Sequence, residues 1–225
     1  MGRTTSAVDQ FRPSSRRRQL AAATLTTTLT AVIAGMFWWQ DLQFARPTPV
    51  PEGWQAIAPG APVVLPGRLE QIRNAAGNRP VLLHFFNPSC PCSRFNVDHV
   101  RALARSYGDR VTFVAVLVQG DAATLTAAYR TLGLDVPYYV DDGQAANAVG
   151  AYSTPQAAIL DSDGRLVYRG NYNVTRYCRE RETEFARIAL DDMLAGRPAR
   201  TMPSQATVAY GCPLRHPRGT GGDGA

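Results

Sequence analysis

Two thiols stand one residue apart in the segment Phe85-Phe86-Asn87-Pro88-Ser89-Cys90-Pro91-Cys92-Ser93, where an apolar run breaks off and a helical pattern begins. A cysteine at the start of a helix meets unpaired backbone N–H groups and the positive end of the helix dipole, and both favour thiolate over thiol. The thiolate is the nucleophile, and a second cysteine nearby can attack the mixed disulfide it forms and release the bound partner. Cys90 and Cys92 are therefore the first candidates for thiol–disulfide chemistry. The blander alternatives are a small buried pair or a purely structural bridge. Cys178 and Cys212 complete the set, and four cysteines allow three connectivities.

A bridge across the single residue Pro91 closes a small ring, and a strained disulfide is the more easily reduced. If Cys90 and Cys92 pair, the couple is expected to be relatively oxidising. If they do not, Cys178 or Cys212 must resolve Cys90. Cys178 stands just before the predicted last helix, whereas Cys212 follows a stretch from Arg197 onward with no helix or strand pattern. A structural bridge between them is the favoured expectation, closing a loop of about 33 residues worth roughly 3 to 4 kcal/mol before strain. A resolving role for either one is the competing expectation.

The elements around these residues alternate. Val81 to Phe86 is a short apolar run fit for a buried strand, followed by a break at Asn87-Pro88-Ser89. A helix is predicted from near Cys90 to Ser93, because Val100, Leu103, Ala104 and Tyr107 recur at helical spacing before Gly108. Val111 to Val118 is a second buried strand and Asp121 to Leu132 a second helix. Gln156 to Leu160 and Arg165 to Arg169 flank Asp161-Ser162-Asp163-Gly164, which is hairpin chemistry. A last helix is predicted over about Arg179 to Ala195. The order β-α-β-α-β-β-α predicts an α/β domain with a mixed sheet and flanking helices on both faces.

Residues 63–195 resemble the thioredoxin-like superfamily, and within it the membrane-anchored redoxins of bacterial envelopes. Cys90 matches the first cysteine of that family's Cys-x-x-Cys motif, and Thr154-Pro155, just before Gln156, matches its cis-proline site. The resemblance implies a thioredoxin-like fold over 63–212 and a nucleophilic Cys90. It also implies a substrate peptide bound at the backbone of Thr154 beside Pro155. Protein thiols or disulfides are the implied partners, with an unspecified electron donor, and no cofactor or metal is called for. The sequence departs from the motif at Ser93, which occupies the position of the second cysteine. The Cys90-Pro91-Cys92 turn, together with Tyr177-Cys178 and Gly211-Cys212, is similar to segments of an uncharacterised redoxin-like family with the same turn. His84, six residues before Cys90, falls where thioredoxins place a buried acid. An imidazole there could accept a proton from the resolving thiol, or could be a core histidine. His99, between polar neighbours, is expected to be solvated.

Three rival functions are weighed against this one. A peroxiredoxin-like peroxidase would need Pro and Thr where Leu83 and Asn87 stand, or, for Cys92, where Phe85 and Ser89 stand. A Cu(I)-binding thioredoxin-fold chaperone could use Cys90 and Cys92 with His84 or a further cysteine, since soft thiolates select Cu(I). A noncatalytic interaction module is the third.

The formal charge of +6 is unevenly spread: residues 1–19 hold five arginines against Asp9 alone. What remains has no basic stripe with interleaved aromatics, which argues against nucleic acid as a partner. Residues 20–39 carry no charge and end in Phe37-Trp38-Trp39. Such a helix rises about 1.5 Å per residue and would cross a hydrocarbon core of roughly 30 Å. Arginines before it predict a cytoplasmic N-terminus, with the tryptophans at the opposite interface. An uncleaved transmembrane signal anchor is favoured over a cleaved signal peptide, because Gln43-Phe44-Ala45 is a poor cleavage site. The expected plan is a basic cytoplasmic tail (1–19), a transmembrane anchor (20–39), a Pro-rich linker (40–62), the thioredoxin-like domain (63–212) and a disordered tail (213–225). That plan places the chain in the bacterial inner membrane as a single-pass protein, with its domain periplasmic or otherwise outside the cytoplasm. All four cysteines would then lie where disulfides persist.

Overall fold

The structure, a computed structural model, describes residues 16–77, 79–174 and 180–214. The chain divides into two compact units, residues 1–45 and 46–225. The first holds α1 (Arg16–Ala45), which is exposed along the side chains described and contains the predicted span 20–39. Its Arg16–Gln40 stretch is long and apolar enough to cross a membrane.

The second unit is built on a five-stranded sheet. Its strands are β1 (Val81–Phe86), β2 (Thr112–Leu117), β3 (Tyr138–Val140), β5 (Gln156–Leu160) and β6 (Leu166–Gly170), in the order β3-β2-β1-β5-β6. β1 pairs with β2 in parallel and with β5 antiparallel, so the sheet is mixed, as expected. Every residue of β1 and β2 is buried, which is why both read as unbroken apolar runs rather than alternating ones. Alternate residues enter two cores. Leu82 and Phe86 pack with α4 (Val97–Tyr107) and α7 (Phe185–Leu194) on one face. Val81, Leu83 and Phe85 pack with Leu69 of α2 (Gly67–Ala75) and with α6 (Gln144–Val149) on the other.

Local chemistry fixes several ends. Asp121 caps α5 (Ala122–Arg130) by accepting from Thr124 N at 2.9 Å. Asp141 caps α6 by accepting from Ala145 N and Ala146 N. The β5–β6 turn closes as predicted, with Gly164 N donating to Asp161 O and Arg165 N to the Asp161 carboxylate.

Four expectations need correction. The stretch read as a linker belongs to the second compact unit from residue 46 on. Thr48 is buried and donates to Gly211 O, Trp54 Nε1 donates to Gly150 O, and Ala61 O accepts from Leu166 N. Its prolines mark an extended path over the domain surface rather than a free spacer. The helix predicted to open at Cys90 is a single turn, α3 (Pro91–Arg94), which breaks at Phe95 and Asn96 before α4 begins. The patternless stretch after Arg197 is ordered by tertiary hydrogen bonds. It contains α8 (Ser204–Thr207) and β7 (Cys212–Pro213), which pairs with the short β4 (Ser153–Thr154). Asn171 Nδ2 donates to Gln205 O and Val208 O, and the Tyr168 hydroxyl donates to Ala206 O. Leu214, placed in the expected tail, is buried in the second core; residues 215–225 lie outside the described residues.

Candidate functional site

The turn that delivers Cys90 is held by Asn87. Its side-chain oxygen accepts from Ser89 N at 2.9 Å, its Nδ2 donates to Gln119 O at 3.2 Å, and its carbonyl accepts from Cys90 N at 3.0 Å. Cys90 is half-buried and N-terminal to α3, with Pro91 at the first helical position, where a missing N–H costs no helical bond. Because α3 has only four residues, the helix dipole expected at Cys90 is that of one turn.

Ser93 stands where the motif would place its second cysteine, and it is fully buried. Its hydroxyl accepts from Asn87 N at 3.3 Å and lies 3.2 Å from the Thr154 hydroxyl. Thr154 Oγ1 also lies 3.3 Å from Phe85 O, so one small polar cluster joins the end of β1, the first turn after it and the proline loop. The Thr154–Pro155 peptide is cis, as the resemblance implied.

Across this loop runs β7. Thr154 pairs with Cys212 and Ser153 with Pro213, and the pairing sets Cys212 Sγ 3.6 Å from Cys90 Sγ. β7 is pinned at several points. The Ser153 hydroxyl donates to Cys212 O, Gln119 Nε2 to Pro213 O, and Leu214 N to Tyr152 O. Gly211 has a φ of +147°, and a Cβ there would lie 2.4 Å from Thr154 O, so only glycine brings the strand this close.

The described structure therefore joins Cys90, Thr154, Pro155 and Cys212 in one site. Cys178 lies outside the described residues, and with it the expected Cys178–Cys212 bridge; the backbone of Cys92 is helical in α3. Gln119, Ser153 and Thr48 shape the site and were not singled out from the sequence, and Gly211 was noted there only as the neighbour of Cys212. The one usable signal was the glycine directly before Cys212.

His84 is on β1, buried, with Nδ1 2.8 Å from the Tyr172 hydroxyl and its ring stacked on Phe86. Its Nε2 finds no hydrogen-bond partner among the described residues. Burial, with a smaller contribution from His99, drives its pKa down to about 3. So weak a base suits the core reading of His84 rather than the proton acceptor expected at the resolving thiol. His99 is buried rather than solvated, edge-on to Tyr172 at 5.7 Å. Among the described residues no three His, Cys, Asp or Glu side chains are grouped to hold a metal ion.

A parallel β1–β2 pair, an antiparallel β5–β6 hairpin, a cysteine after β1 and a cis-proline before β5 together define a thioredoxin-like fold. The family model of a domain of unknown function, DUF6436, matches residues 61–213, and the chain belongs to that family. Among solved structures, a hypothetical protein from Sinorhizobium meliloti 1021 is 24% identical with a TM-score of 0.58, covering 74% of this chain and 98% of that one. An uncharacterized conserved protein from Geobacillus kaustophilus is also 24% identical, with a TM-score of 0.56 over 75% of this chain and 96% of its own. Both share the fold. No curated protein matches the chain.

Proposed function

We propose that this chain is a membrane-anchored thiol–disulfide oxidoreductase of the cell envelope, with Cys90 as its nucleophile and protein thiols or disulfides as its substrates. The observation that carries this reading is the placement of a half-buried Cys90 at the β1–α3 turn, in contact with a second thiol on a strand paired to the cis-proline loop. Thiol–disulfide exchange needs a thiolate with access to a disulfide sulfur and a second thiol to release the mixed disulfide, and the site supplies both groups. Peroxide reduction has less support, since neither Leu83 nor Asn87 supplies the residue type that its motif requires.

Helix α1 serves as a single-pass anchor, with the arginines on the cytoplasmic side and the redox unit outside. A reporter fused after Ala225 that is active only outside the cytoplasm is the expected result; activity of a cytoplasmic reporter there would reverse the orientation. Dithiothreitol-driven reduction of a protein disulfide by the full chain tests the activity, and Cys90→Ser should abolish it.

A further inference from the structure

We infer that Cys212 is the second member of the redox couple, so that the working disulfide is Cys90–Cys212, made between the β1–α3 turn and β7. This rests on Cys90 being the nucleophile and adds the residue that resolves it. The two sulfurs are 3.6 Å apart, in van der Waals contact, against a bond length of about 2.05 Å. Contact between residues 122 positions apart in sequence is set by the fold, not by chain proximity.

Three further observations point the same way. Ser93, at the position of the usual resolving cysteine, has no thiol, and its hydroxyl is engaged with Asn87 N and Thr154. Among the described side chains, Cys212 is the thiol that the fold brings to Cys90. Its strand is also aimed, not merely nearby. Gly211 allows the close approach to Thr154 O, while Ser153, Gln119 and Tyr152 hold the backbone of residues 212–214.

In the reducing direction the steps balance as follows. The Cys90 thiolate attacks a substrate disulfide, the Cys90–S–S–R bond forms, and the other substrate sulfur leaves as a thiolate that takes a proton from solvent. The Cys212 thiolate then attacks Cys90 Sγ, the Cys90–Cys212 bond forms, and the second substrate sulfur leaves and is protonated. The substrate has gained two electrons and two protons, and the protein has lost them. A dithiol reductant restores the couple by the same exchange in reverse, and running the steps backward oxidises a substrate dithiol.

The test combines peptide mapping and kinetics on the full chain in detergent. Cys90 and Cys92 share one tryptic peptide, residues 74–94, so the chain is mapped as Cys92→Ser after mild oxidation with glutathione disulfide and trapping of thiols. The expected product joins peptide 74–94 to peptide 201–215, which contains Cys212. In kinetics, Cys212→Ser should lower dithiothreitol-driven turnover by about 100-fold while still accumulating Cys90 as its glutathione mixed disulfide. A map that joins 74–94 to the Cys178 peptide instead, or wild-type turnover in Cys212→Ser, would overturn the assignment. If Cys90→Ser is inactive while Cys212→Ser is unimpaired, the nucleophile stands and the resolver falls. Retained turnover in Cys90→Ser removes both.

Discussion

The Ser93 hydroxyl lies 3.2 Å from the hydroxyl of Thr154, which ties the turn carrying Cys90 to the loop carrying the cis-proline. Ser93 sits where a thioredoxin motif would put its second thiol, and in this chain its hydroxyl holds the turn to the loop; on the reading proposed above, the resolving thiol comes from elsewhere.

Removing that tie should cost stability before it costs chemistry. Ser93→Ala leaves Asn87 N without its acceptor and is expected to destabilise the full chain by about 1 to 2 kcal/mol in denaturant titration. An unchanged midpoint would show that the cluster carries no net energy. Ser93→Cys placed in a Cys212→Ser background should recover part of the lost turnover, because it restores a thiol at the position the motif uses.

Gly211 sets the approach of β7. In Gly211→Ala the new Cβ meets Thr154 O at 2.4 Å, and the φ of +147° is one that L side chains rarely adopt. The expected outcome is a loss of about 1 to 3 kcal/mol and slower Cys90–Cys212 linkage under oxidation. Linkage at the wild-type rate would mean that β7 reaches Cys90 without this close pairing.

The return segment supplies a third expectation. Asn171 donates to Gln205 O and Val208 O and its N–H to Ala206 O, so 204–208 is bound by hydrogen bonds to the loop after β6. Asn171→Ala should lower stability by about 1 to 2 kcal/mol, because two half-buried carbonyls lose their donor. A drop in melting temperature no larger than that of an exposed Asn→Ala change would count against this account.

How far the sequence foretold this arrangement depends on the range of the forces involved. β1, β2 and the hairpin at Asp161–Gly164 were legible because burial on both faces and turn chemistry leave local signatures. Thr154-Pro155 was legible as a motif. β3 has only three residues, and α2 buries little beyond Leu69, so neither stands out as a pattern. β7 has two residues, and its order comes from Thr48, Gln119 and Ser153, all far from it in sequence. His99 read as solvated because Asp98 and Arg101 stand near it along the chain, whereas Tyr172 covers it from another element.

Acid should weaken the fold through His84. The buried imidazole is neutral when folded, with its pKa pushed down to about 3, while the unfolded form takes up a proton near its ordinary value. Stability is therefore full above the unfolded pKa and is lost as pH falls toward the folded one. Between pH 7 and pH 5 the loss from this group is about 2 kcal/mol. His99, also lowered by burial but opposed by Glu184, adds in the same direction. Denaturant titrations at both pH values should show a smaller drop for His84→Leu than for the parent chain; equal drops would place the acid sensitivity elsewhere.

The central claim, that Cys90 is the attacking thiol, is tested most directly by trapping the first covalent intermediate. The reduced full chain is mixed with a peptide disulfide, quenched with acid after short intervals and read by intact mass and fragmentation. The account predicts one peptide adduct on Cys90, stable in Cys212→Ser and absent in Cys90→Ser. An adduct that forms at the wild-type rate on another cysteine when Cys90 is serine would contradict it.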